Sequence, residues 1–154
     1  MSTEDDQRDV DDQFRSILEG LRTTLPGVQV LFAFLLVLPL QASFAEIEDL
    51  SRFAYYVSFF GSALASVLLI APSAHQRLRA PITGVERRSL THLRLTVILT
   101  ILGTVVFSIA LVAAVLLIST LILGSAAAVA VTVAMAVVIG WSWFYIPLVT
   151  FQKT

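Results

Sequence analysis

The residues able to do chemistry in this chain are few and scattered. Glu46, Glu48 and Asp49 put three acids within four residues, a spacing that can hold a cation. Three acids in a short polar segment are equally a solvated loop, and that is the simpler reading. His75 and His92 are the only histidines, seventeen residues apart with Glu86 as the nearby carboxylate, too little for a metal site. There is no cysteine, so disulfides, thiolate metal sites and cysteine nucleophiles are excluded together. No Ser/His/Asp arrangement, glycine-rich phosphate loop or metalloprotease motif occurs. The expectation is a protein with no catalytic residues, no cofactor and no resident metal.

Two features remain. The first is Gln29, an amide in an otherwise apolar stretch beside Pro26-Gly27. If a helix begins at Pro26, its unpaired N–H groups and dipole favour an anion there, and the Gln29 amide adds a donor. The simpler reading is a hydrogen bond from Gln29 to a neighbouring helix. The second is Arg77, Arg79, Arg87 and Arg88, followed by Arg94. Basic residues beside a membrane attract anionic lipid head groups at about 1 kcal/mol per charge, and they also fix topology. Gln29 and these four arginines form the candidate lipid, anion or polar-seam group. Gln41 near the outer end of the first span and the hydroxyls Ser58, Ser62, Ser66, Thr96, Thr100, Thr104, Ser108 and Thr132 are further polar side chains of the apolar stretches. The hydroxyls can bond to their own helix backbone four residues back.

The elements that must carry these residues are membrane helices. Between Leu95 and Thr150 there are 56 residues with no Asp, Glu, Lys, Arg or His. A helix needs about 20 apolar residues to cross the hydrocarbon core, so this run suits two spans and a tight turn. Of the 154 residues only 14% are charged, against about a quarter in a soluble domain. The sequence predicts an all-α fold: a four-helix transmembrane bundle preceded by an interfacial amphipathic helix. Residues 1–11, with most of the six acids between Glu4 and Asp12, read as a disordered acidic tail. Residues 12–25 place Phe14, Ile17, Leu18, Leu21 and Leu25 on one helical face. That helix lies in the membrane plane or packs on the protein's own polar loop. The spans are expected at about 26–44, 53–72, 95–118 and 126–150, together forming a transmembrane domain over 26–150. Pro39 should kink the end of the first, Pro81 and Gly84 should turn the basic loop, and Gly124-Ser125 should form the last turn. A cleavable signal peptide is disfavoured, because the segment before the first apolar run is long and acidic.

Nine of the ten Lys and Arg residues fall in the N-terminal segment, the second loop and the C-terminus, while the other side has only Arg52. The positive-inside rule then puts both termini in the cytoplasm of a multi-pass cell-membrane protein. Trp141, Trp143 and Tyr145 at one end of the fourth span, and Tyr55 and Tyr56 at the opposite end of the second, suit the two interfaces. For association between helices, the fourth span offers Gly124, Ala128, Thr132, Ala136 and Gly140 at strict four-residue spacing. This ridge serves either an oligomer interface or packing within the chain.

The stretch from Leu21 to Leu36, with Pro39, Phe44, Leu50, the second-span ending Leu68-Leu69-Ile70-Ala71-Pro72, His75 and Arg77, resembles a family of small bacterial four-span membrane proteins classed as a domain of unknown function. Members are sometimes labelled sodium:proton antiporters. That label needs an ionisable group at mid-membrane, and none of the four spans has one. The residues and the resemblance together imply a non-enzymatic membrane protein acting through helix packing, as a homo-oligomer or an accessory subunit of a larger complex. The alternative is a small oligomeric ion or proton channel or transporter. The partners expected are anionic lipids at the cytoplasmic face and other membrane subunits, not nucleic acid.

Overall fold

The computed structural model describes the backbone of residues 3–83 and 90–151, and the side chains of 12–13, 15–41, 44–75 and 93–149. Within these the chain is helical, with no strand. Helix α1 runs Thr3–Val37, α2 Asp49–Thr83 and α3 Leu90–Ile122. Helix α4, Ser125–Ile139, passes through a π-turn, Gly140–Tyr145, into the short α5, Ile146–Phe151. Four stretches are long and apolar enough to cross a membrane: Arg15–Leu40, Asp49–His75, Leu93–Ile122 and Ser125–Val149. In hydrocarbon every backbone N–H and C=O must be bonded within the segment, so an apolar stretch of this length folds as a helix whatever its β-branched content. The protein is a multi-pass helical membrane protein.

Three features differ from the sequence expectation. Helix α1 starts at Thr3 and continues through Pro26, so the acidic segment has a helical backbone and 12–25 is not a separate helix. Proline removes only the N–H that would bond to the Arg22 carbonyl, and one lost bond does not outweigh a continuous helix on either side. Helix α2 passes Pro72 and Pro81 and ends only at Thr83. The fourth span carries a π-turn in which the Ile146 N–H reaches the Trp141 carbonyl, five residues back. Pro147 explains it: its ring would strike the carbonyl of Trp143 in a regular α-helix, and a wider preceding turn relieves that clash. The basic-loop turn expected at Gly84 lies outside the described residues.

Two turns follow the expectation. Helix α1 gives way to a 3-10 turn, Leu38–Leu40, at Pro39. Gly124 caps α4 in an extended conformation, φ −62° and ψ 156°.

The chain divides into two compact units, Met1–Phe34 with Ser62–Phe107, and Leu35–Gly61 with Ser108–Thr154. In the first, Leu21, Val28, Ala65, Leu69 and Phe107 form the core, and Ile17, Leu18, Leu25, Leu31 and Val106 pack against it. The amphipathic face of residues 17–25 is therefore spent on the protein's own α2 and α3. In the second unit Leu35, Ala110, Leu117 and Ala128 are fully buried. Phe44 meets Tyr55 edge-on with ring centroids 4.8 Å apart, and Tyr55 stacks on Phe59 at 5.8 Å.

Candidate functional site

Several hydroxyls inside the spans are satisfied by their own helix. Ser66 donates to the Ser62 carbonyl at 2.9 Å, Thr100 to Thr96 at 2.9 Å, Thr104 to Thr100 at 2.8 Å and Thr132 to Ala128 at 2.8 Å. Thr23 and Thr24 both donate to the Gly20 carbonyl, at 2.8 and 3.1 Å. Such bonds hide a hydroxyl in hydrocarbon without help from another helix. One contact does join two helices: Ser51 Oγ lies 2.8 Å from Thr120 Oγ1. Because Thr120 gives its proton to the Leu117 carbonyl at 2.8 Å, Ser51 is the donor to Thr120. Ser58 Oγ is fully buried and has no hydrogen-bond partner among the described residues.

Gln29 is exposed on α1. The helix N-terminus that would favour an anion beside it does not exist, since α1 begins at Thr3. Gln29 therefore sits in mid-helix, where the backbone N–H groups are already bonded. Arg77 and Arg79 lie in the last turns of α2, and their side chains are outside the described residues, as are Arg87 and Arg88 altogether.

The small-residue ridge of the fourth span is buried within the chain only in part. Ala128 and Thr132 are buried, Gly124 and Ala136 are exposed, and Gly140 is half-buried at the start of the π-turn. A Cβ added at Gly124 or Gly140 would meet nothing within 4 Å. A close approach of two helices lies at Gly103 of α3. A Cβ there would stand 2.7 Å from Leu69 Cδ2, 2.8 Å from Leu69 Cγ and 3.3 Å from Leu68 Cβ. Sequence reasoning overlooked Gly103. Its one signal is a lone glycine in a Leu/Ile/Val-rich helix, which costs helix propensity unless backbone proximity needs it.

At the opposite end of α2, Arg52 closes the connecting loop. Its guanidinium lies 3.3 Å from the Ile47 carbonyl and 3.6 Å from Asp49. Glu46, Glu48 and Asp49 are exposed, and among the described residues no group of three acids or histidines converges on one point. Among the described residues, a small recess lined by Ala114, Val115, Ile118 and Ser119 is almost wholly apolar.

Comparison with curated proteins finds no match, and comparison with solved structures finds none. Four apolar helices without a mid-membrane charge fit the resemblance read from the first half of the chain. A family model, Family of unknown function (DUF6328), matches residues 3–147, nearly the full length, and the chain belongs to that family.

Proposed function

We propose that this is a non-enzymatic integral membrane protein that acts through helix packing, as a homo-oligomer or as an accessory subunit of a membrane complex. The observation that carries this reading is where polarity and surface lie. Ser66, Thr100, Thr104 and Thr132 bond back to their own helices, and the spans hold no ionisable group at mid-depth. What the chain offers instead is outward apolar surface. Only 11% of the first span and 17% of the fourth are buried within the chain, against 39% of the third. A channel or transporter needs a polar path through the bilayer, and back-bonded hydroxyls and an apolar recess weigh against one.

The charge distribution supports a plasma-membrane orientation with both termini and the arginine-bearing segment in the cytoplasm. Anionic lipids are the matching partners for that face. The test is extraction into mild detergent and nanodiscs, with stoichiometry counted by single-molecule photobleaching and copurifying proteins identified. Oligomers or a stoichiometric partner are expected. A clean monomer without a partner in both media refutes the reading.

A further inference from the structure

We infer that two copies of this chain associate through the face of α1 that carries Gln29, with the two Gln29 amides hydrogen-bonded to each other across a two-fold axis normal to the membrane. This rests on the helix-packing reading above and names its face and its partner.

The argument starts from depth. Arg22 is the last charged residue of α1, and no charge follows before Glu46. Gln29 lies seven residues beyond Arg22, about 10 Å further along the helix. It is the only Asn or Gln that deep in any span, since Gln41 stands beyond Pro39 near the far end. Its side chain is exposed, and none of the described side chains hydrogen-bonds to it. In a bilayer, exposed at that depth means facing hydrocarbon. Unlike the hydroxyls of Thr23 and Thr24, a Gln amide carries two donors and an acceptor, and it does not back-bond into the helix groove to satisfy them. Two methylenes are too short to carry it 10 Å to the head groups, as a lysine or arginine stem can. An unpaired amide in hydrocarbon is costly. A partner is needed.

A second copy meets the requirement without coincidence. Two copies in one bilayer with the same orientation hold Gln29 at the same depth, and a two-fold axis makes the same patch face itself. A carboxamide both donates and accepts, so each Gln29 satisfies the other. A different protein would have to present its own polar group at that depth. The surrounding face permits close approach. Pro26, Gln29 and Ala33 are all exposed and spaced three and four residues apart, the seam of a parallel helix pair. Gly27 beside them has open space where a Cβ would stand.

The test uses the full chain in membranes, where the absence of native cysteine helps. Ala33→Cys should give a disulfide-linked dimer under mild oxidant, and Val138→Cys, exposed on α4, should not. Gln29→Leu should raise the dimer dissociation constant about tenfold in nanodisc or vesicle dilution series, the size of a reciprocal interhelical hydrogen bond. Gln29→Asn should recover part of the loss. Helicity and a monodisperse elution profile confirm that Gln29→Leu folds. Dimerisation unchanged in Gln29→Leu overturns the inference. So does crosslinking at Val138 but not Ala33, which places the contact elsewhere and leaves the helix-packing reading standing. A monomer bound to a different protein likewise removes only this inference, whereas a monomer with no partner removes both.

Discussion

Replacing Gly103 by alanine should be the most informative single-methyl change in this protein. The added Cβ would stand 2.7 Å from Leu69 Cδ2 and 2.8 Å from Leu69 Cγ, whereas carbon atoms pack at about 3.5–4.0 Å. Close to 1 Å of overlap must therefore be relieved. Leu69 is fully buried among Val28, Ala65 and Phe107, so it has no vacant space to turn into. Overpacking of this kind costs roughly 1–3 kcal/mol. Alanine also returns about 1 kcal/mol of helix propensity over glycine, leaving a net loss of about 0–2 kcal/mol. Gly20→Ala supplies the contrast, since nothing lies within 4 Å of its would-be Cβ. That variant should be neutral or gain up to about 1 kcal/mol. Denaturant titration of helicity in mild detergent measures both. A third variant isolates the cause: in a Leu69→Ala background the clash is gone, so Gly103→Ala should become neutral or stabilising. The coupling between the two sites should then exceed about 1 kcal/mol. Gly103→Ala behaving like Gly20→Ala, with no coupling to Leu69, would refute the close approach of α2 and α3 at this point.

Three further outcomes follow from particular contacts. Ser51→Ala and Thr120→Val should each cost about 0.5–1.5 kcal/mol and be non-additive, because they remove the same interhelical bond; additive losses would mean that the hydroxyls do not meet. Ser58→Ala should be neutral or stabilising by up to about 1 kcal/mol, since its buried hydroxyl has no partner to lose; a clear loss of stability would show an unseen bond. For topology, single cysteines at Glu48 and Leu123, both exposed between spans, should react with an impermeant reagent from outside. Thr3→Cys and Thr83→Cys should react only after permeabilisation, and the reverse pattern overturns the orientation.

The sequence by itself determined the secondary structure class and the number of spans. Hydrocarbon leaves a backbone no choice but the helix, and bilayer thickness sets the length, so 56 uncharged residues had to divide into two spans. It also located the break at Gly124-Ser125 and a disturbance of the first span at Pro39, since glycine and proline act on their own local backbone. Only the tertiary structure decided how the local signals compete. Pro26 reads as a helix start in isolation, yet α1 runs through it, because a core of Leu21, Val28, Ala65, Leu69 and Phe107 packs on both sides of that residue. The π-turn before Pro147 is a compromise between a helix held at both ends and a ring that one turn cannot accommodate. Small-residue spacing marked Gly124 and Gly140, where space is open, and passed over Gly103, where it is closed. Periodicity reports which residues share a face of one helix. Which face another helix occupies depends on the pairing of distant segments, and no single segment carries that information.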